Sequence, residues 1–379
     1  MGKRELVLVL AFIVVGAVVY QVTAPPLSPG QEGFSLGRLA RHFREAVHGR
    51  PSHASVETTR TDPADTSVTE IRVDIPLVDL TVLGEERDDV ESKLTVDSDG
   101  VDEPEAQRLA KATTLHIDRA GAGLVVKVQF PADGRQRGSL AMRVPKRLLL
   151  RVENGNRNGN VDVQHVAGVD IKGNRGTARV SDIDGEISLT HRGAAALNIA
   201  RAGSVRLTIN SGDAHVSDIR GAASIDTTGS NVELADIVGP LDLKSRNADV
   251  RIRNLSHLQP PLRCDMQSGR LEIDGLQTEA RIDGRDTEMR ITVARAVPIT
   301  IDNTADDITI VPPPDGYTLD AIATDGELSV DAGVNQSAPV VKAGDEREQR
   351  INAPIHGGGP AITIRNAHGD ISIRARAGG

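Results

Sequence analysis

The chain has 379 residues, enough to bury a large core, yet no Trp, two Tyr and four Phe, so aliphatic side chains must fill the interior. A net charge of −9, from 44 Lys and Arg against 53 Asp and Glu, argues against a nucleic-acid phosphate backbone as the main partner. The single cysteine, Cys264, excludes an intramolecular disulfide and a four-cysteine metal site.

Lys3 and Arg4 precede an uncharged apolar run, Leu6 to Val22, at the short end of what spans a bilayer. Basic residues on its near side predict a cytoplasmic N-terminus and an extracytoplasmic body, held by a single-pass anchor over residues 1–24. The alternative is a signal peptide cut near Val22-Thr23-Ala24 and a secreted product, although Pro25 disfavours the cut. Residues 25–69 read as a linker. Within it, Leu36, Leu39, Ala40, Phe43 and Val47 recur at helical spacing opposite Arg38, Arg41 and Arg44, predicting a short amphipathic helix over 34–48. Such a helix serves either the membrane surface or the open end of a repeat array. Pro51 to Ser67 is polar and aperiodic, and reads as a spacer.

Strand alternation begins at Glu70 with Ile71 to Ile75, Val78 to Leu83 and Val90 to Val96, followed by a surface helix over Val101 to Ala112. From Asn154 to Ile252 the pattern becomes periodic. Gly168, Gly185, Gly203, Gly221 and Gly239 return about every 18 residues, between apolar-polar-apolar triplets such as Val232-Glu233-Leu234 and Leu241-Asp242-Leu243. Each triplet is too short to stand alone, so each turn must bury its apolar side against the next. The expectation is an all-β protein: one β-solenoid of about 18 residues per rung, over residues 70–379. Pro312-Pro313-Pro314 ends one strand, Asp345 to Pro360 reads as a long loop, and Ile362-Thr363-Ile364 with Ile371-Ser372-Ile373 closes the array.

Asp182, Asp218 and Asp236 each stand three residues before a periodic glycine and are expected along one edge, with His165 and Ala200 in the same place on two other rungs. Aspartate there closes a turn through backbone N–H groups; the competing reading is a calcium row of stacked carboxylates. Asn174, Asn210, Ser230 and Asn247 suggest a polar ladder at another corner, and Asn154 to Asn160 reads as a turn rich in Asn and Gly. Asp184, Asp213 and Arg220 are the residues from which a carbohydrate-active β-helix enzyme would have to be assembled, but nothing singles them out. His116, His165 and His215 lack metal spacing, and Cys264 has no legible Cys/His/Asn setting. No catalytic, cofactor-binding or metal-binding residue is assigned.

Three places resemble a bacterial family of unknown function known as putative adhesins. They are Ile71-Arg72-Val73-Asp74 through Asp79-Leu80-Thr81-Val82; Arg143-Val144-Pro145 leading to Val152-Glu153-Asn154-Gly155; and Gly357-Gly358-Gly359-Pro360 with Gly369-Asp370-Ile371-Ser372-Ile373. The resemblance spans Glu70 to Arg374. It implies a β-solenoid exposed in the cell envelope behind a membrane anchor, and it supplies no catalytic residues. The expected function is a scaffold that displays Arg206, Asp226, Glu233, Asp242 and Arg251 along one flat side to an envelope polymer or an envelope protein. The alternatives are the carbohydrate-active enzyme and an envelope-stress regulatory component coupled through the N-terminal helices.

Overall fold

The computed structural model describes residues 52–376, except 76–77, 133–134, 154–158, 332–333, 335–340 and 343–346. The expected anchor over 1–24, the helix over 34–48 and most of the turn at Asn154 to Asn160 lie outside the described residues. Among the described residues, no helix is long and apolar enough to cross a membrane.

The described chain is all-β apart from one helix. It opens with β1 (Ser52–Pro63), β2 (Glu70–Asp74), β3 (Val78–Glu85) and β4 (Asp89–Gly100), then α1 (Glu103–Lys111). β5 (Thr114–Ala120), β6 (Gly123–Gln129), β7 (Arg135–Pro145), β8 (Leu149–Glu153) and β9 (Val161–Gln164) follow. The long central strands are β10 (Gly168–Asn174), β11 (Ala178–His191), β12 (Leu197–Ile219), β13 (Ala223–Ile237), β14 (Leu241–Arg253), β15 (Leu262–Leu276) and β16 (Ala280–Val293). The last are β17 (Ile299–Asn303), β18 (Ile308–Val311), β19 (Tyr317–Thr324), β20 (Leu328–Val330), β21 (Val341–Lys342), β22 (Glu348–Ile355), β23 (Ala361–Asn366) and β24 (Ile371–Ile373).

The described residues fall into two compact units, one with those of 52–57, 95–114 and 130–137 and the other with the remainder. In the first unit, α1 starts where Asp102 accepts a hydrogen bond from the Glu105 amide (2.8 Å) and Glu105 accepts one from the Val101 amide (2.9 Å). Two segments differ from expectation. The supposed spacer contains the 12-residue strand β1, and β22 occupies the supposed loop after Asp345. Both are polar on their outer side, which hides a strand from a hydrophobicity reading. β1 carries three Thr, which suit extended backbone, and β22 turns Ile351, Ala353 and Ile355 inward.

The stacked coils belong to the second unit. Val205 faces Ala223, which faces Leu241, in parallel register, so each coil advances the chain by one glycine interval. The next step, Leu241 to Leu262, is longer because it carries the excursion ending at Pro260-Pro261, and the step from Leu262 to Ala280 restores the earlier length. Each coil has two arms. In β13 the first is Ala223 to Thr228 and the second Ser230 to Ala235, with Ala223, Ile225, Val232, Leu234 and Ile237 inside. Aliphatic residues fill the core as composition demands; Tyr317 is its one fully buried aromatic among the described residues.

Two columns of left-handed backbone turn the corners. Between the arms stand Ser211, Gly229, Asn247, Ser268 and Asp286, with φ between 50° and 72°. After the second arm stand His165, Asp182, Arg201, Asp218, Asp236 and Asn254, with φ between 54° and 59°. Asp and Asn tolerate this conformation best, which explains why they recur. The residue of that column between Asp182 and Asp218 is Arg201 rather than Ala200, because Ser181 pairs with Ala200 and pushes Asp182 level with its neighbour.

The periodic glycines do something different. None of Gly185, Gly203, Gly221 and Gly239 has positive φ. They line up because adjacent coils approach closely there: the Gly221 amide donates to the Gly203 carbonyl at 2.6 Å, and a Cβ on Gly221 would lie 2.7 Å from that oxygen. Gly168 stands one residue out of the column, level with Glu186; Ala167 takes its place, accepting from the Gly185 amide at 2.8 Å. This is the structural counterpart of the short first interval.

The predicted ladder of Asn174, Asn210, Ser230 and Asn247 dissolves into different columns. Asn174 is buried and faces His191, Asn210 faces Thr228 on the outside, Ser230 faces Gly212, and Asn247 turns a corner. The column of Asn174 and His191 instead continues inward through Thr227, Ser245 and Gly284 to Asn303 and Asn366. Asn or His occupies it where the following corner is wide. Asn174 donates to Gly176 O (2.8 Å), His191 Nε2 lies 2.8 Å from Ala195 O, and Asn366 donates to Asp306 O (2.8 Å). Each satisfies a carbonyl that a wider corner leaves without a sheet partner.

Both ends of the stack depart from chain order. At one end β2 and β3 lie between β6/β7 and β8/β9. At the other, β23 and β24 are inserted between β17/β18 and β19/β20, and β22 pairs antiparallel on the far side of β19.

Candidate binding surface

The five residues expected on one flat side fall on two. Arg206, Asp226 and Asp242 project from the first arms, Glu233 and Arg251 from the second. The corner at Gly229 separates the two sides.

On the second-arm side, charges alternate in sign from coil to coil: Glu233, Arg251, Glu272 and Arg290 face one another in order, and His215 faces Glu233. Arg251 Nη2 reaches Glu272 Oε2 at 2.7 Å, Arg270 Nη2 reaches Glu288 Oε2 at 2.6 Å, and His215 Nδ1 lies 3.0 Å from Glu233, which Arg253 also contacts. Each exposed pair stabilises little, from nothing to about 1 kcal/mol, but together they neutralise the side. A shallow depression of about 380 Å³ runs between Asp213 and Glu272.

The first-arm side is arranged differently. Asp265, Asp283 and Asp302 stand in register on three successive coils, beside the facing pair Arg263 and Arg281. Like charges directly opposite on neighbouring strands repel. Arg281 grips Asp283 within its own strand (2.8 and 2.9 Å) and lies 3.9 Å from Asp302. The three aspartates border a depression of about 480 Å³ that also takes in Gln267, Arg285 and Thr324. Arg365 also lines it and donates to Asp320 (2.5 Å), which accepts from Arg350 as well (3.4 Å).

At the corner after the second arms, Asp182 has left-handed backbone, and its carboxylate is held by Arg201 of the next coil through two hydrogen bonds of 2.6 and 2.8 Å. That bidentate contact, with the Ser181 hydrogen bond and the Arg201 charge, holds the Asp182 carboxyl down to about 2. A lowered value in the folded state means folding favours the ionised form. The stability it contributes is therefore complete above the ordinary carboxylate range and lost as pH falls toward 2. In Arg201→Gln, the Asp182 midpoint is expected to rise to roughly 3–4, read by carboxyl NMR titration; an unchanged midpoint would remove Arg201 as the cause.

Asp236 accepts from Asn254 Nδ2 at 3.2 Å. Among the described residues, no three His, Cys, Asp or Glu side chains are grouped to hold a metal ion. Asp184 and Arg220 do meet, at 3.7 Å, around a depression of about 540 Å³ that also includes Lys146 and His165. Asp213 lies apart on the second-arm side, where it accepts from Asn231 (2.8 Å), so the three are not one constellation. His116 lies on β5, His165 turns a corner and His215 is on the second arm. Cys264 is buried, and that burial pushes its thiol up to about 12, far from nucleophile range. Of the turn before β9, Asn160 ties coils together: its amide donates to Asp79 (2.6 Å) and its side-chain oxygen accepts from the Thr177 amide (3.1 Å).

Sequence reasoning misses the aspartate stack. Asp265, Asp283 and Asp302 recur at the coil interval, so the period that finds the coils also finds this column once it is carried past the excursion at Pro260.

A family model described as Toastrack DUF4097 matches residues 68–374, the stretch that carries the resemblance seen in the sequence. No curated protein matches the chain. Among solved structures, a putative cell adhesion protein from Clostridium sporogenes ATCC 15579 is 8% identical over 86% of this chain and 100% of its own, with a TM-score of 0.19. A putative lipid binding protein from Parabacteroides distasonis ATCC 8503 is 13% identical over 68% of this chain and 97% of its own, with a TM-score of 0.36.

Proposed function

The chain belongs to the Toastrack DUF4097 family, and from that premise we propose that it is a non-catalytic β-solenoid binding scaffold whose first-arm side engages a charged envelope polymer or envelope protein. The observation that carries this reading is the contrast between the two sides. One alternates in sign coil by coil; on the other, Asp265, Asp283 and Asp302 face one another between Lys244 and Arg365, and Arg263 faces Arg281, with Asp283 held by Arg281 within its own strand. Stacked like charges weaken the free protein, and a partner of opposite sign relieves them at every coil it crosses. A rigid parallel stack repeats its contacts at strand spacing, so weak contacts add along a linear partner. The same proposal places this body outside the cytoplasmic membrane behind the apolar run Leu6 to Val22.

The test is capture of envelope polymer and protein fractions by the tagged full chain. Asp265→Asn with Asp302→Asn is expected to lower capture by up to about thirtyfold, since each exposed charge pair removed costs up to about 1 kcal/mol. Arg270→Gln with Glu288→Gln, which removes a matched pair on the other side, should leave it unchanged. Equal losses from both double variants would sink the assignment of the side, and a body shielded from protease added to spheroplasts would sink the location.

A further inference from the structure

The coil inserted out of order is a near-copy of the one it lies on. Ile299-Thr300-Ile301-Asp302-Asn303 with Asp307-Ile308-Thr309-Ile310 recurs as Ile362-Thr363-Ile364-Arg365-Asn366 with Asp370-Ile371-Ser372-Ile373, identical at seven of the twelve positions from Ile299 to Ile310. The copies stack like on like: Ile299 on Ile362, Ile301 on Ile364, Asn303 on Asn366, Ile308 on Ile371 and Ile310 on Ile373. Their corners are tied as well. The Ala367 amide donates to Asn303 O (3.1 Å) and the Asp370 amide to Asp307 Oδ1 (3.0 Å). The other edge of the inserted coil pairs with β19 and β20. The slot is thus matched on both edges to a coil of this sequence, and any copy of the chain carries one.

The upstream connection to that coil is also distinctive. His356, Gly357, Gly358 and Gly359 have φ of 51°, 93°, 81° and 157°, four positive values in succession, and the segment is largely exposed. A Cβ on Gly357 would meet nothing within 4 Å, so the reversal is open at that residue, while Gly359 lies against Gly316 and its carbonyl accepts from the Thr318 hydroxyl (3.2 Å). The hinge conformation is a reversal that only a glycine-rich segment adopts; opened to an extended chain, it projects the coil away from its own slot.

We propose that residues 361–373 are exchanged between two copies of this chain, the coil of each filling the slot between β17/β18 and β19/β20 of the other. The packing within each stack is unchanged by the exchange; only the hinge conformation differs. Two joined stacks present two copies of the same outward rows, which multiplies weak contacts with a repeating partner.

The test needs two full-length chains, one carrying Thr300→Cys and the other Thr363→Cys. These positions face each other in register on the outer surface, and Cys264 is buried. The chains are mixed, unfolded, refolded together and oxidised. A disulfide joining the two variants is expected, with about a tenfold rise in the heterodimer-to-monomer ratio for a tenfold rise in chain concentration, as mass action requires. Ser372→Cys in place of Thr363→Cys is the control: it faces Thr309 rather than Thr300 and should give little product. Deleting Gly357 to Gly359 should favour the exchanged form further, because a shortened hinge cannot reverse. Folded monomer alone in both the parent and the shortened chain would overturn the proposal, and so would equal cross-linking in the control.

Discussion

Gly239→Ala is expected to destabilise the stack by about 3 kcal/mol, the upper range for forcing extra volume into a packed interior. The added methyl would press on the backbone of Gly221 and Ala222 in the preceding coil. Backbone within a parallel ladder yields only by parting the coils, unlike a flexible side chain. Gly221→Ala meets the Gly203 carbonyl at 2.7 Å and belongs to the same class. Gly229→Ala is the internal comparison. It has φ of 61° and nothing within 4 Å of its Cβ, so it costs only the left-handed penalty, about 1 kcal/mol. Urea unfolding of the three variants separates the two reasons for a glycine. Equal costs for all three would mean that close approach of the coils is not why the periodic glycines are there.

The second large effect is expected from deleting residues 361–379. In a solenoid stacked in chain order, losing the last coil shortens the stack and leaves the others standing. Here the deleted coil is internal. Ile362, Ile364, Ile371 and Ile373 are at most 1% exposed, and burying four such side chains contributes roughly 6–12 kcal/mol. Without them β17/β18 and β19/β20 each lose the partner between them, and with β19 goes β22, which pairs with β19 and β21. The expected outcome is that amides from 299 to 330 and from 348 to 355 lose hydrogen-exchange protection together, while those from 197 to 273 keep it. Retained protection over 299–330 would mean that β19 and β20 dock directly on β17 and β18, contrary to the insertion. Coil exchange depends on the same opening, because an end that opens as one unit is the state from which a second copy can be accepted.

The central coils are legible in the sequence because their information is local and repeated. An alternating triplet buries one side wherever it lies in the chain, and a constant interval says which triplets are neighbours. The edge column at Asp182, Asp218 and Asp236 follows from the same interval. β1 escapes such a reading because none of its side chains is buried, whereas the alternation of Ile351, Ala353 and Ile355 in β22 is short and set between a charged run and a glycine-rich one. Ala200 for Arg201, and Gly168 for Ala167, are one-residue errors at places where a coil gains or loses a residue, which only the ladder register reveals. The supposed single display side divides because the corner column of Ser211, Gly229, Asn247, Ser268 and Asp286 redirects the chain within each of these coils.

By itself the amino-acid order determined an all-β chain with an aliphatic interior, coils of near-constant length, and corners where Asp, Asn and Gly accept left-handed backbone. Tertiary structure alone decided which coils touch at the two ends, which charges are cancelled by the neighbouring coil, and why the periodic glycines cannot carry a side chain. The physical reason is range. Alternation and turn chemistry are settled within a few residues, whereas pairing between segments as distant in the chain as Ile299 and Ile362 depends on which edges remain open once the rest of the stack has formed.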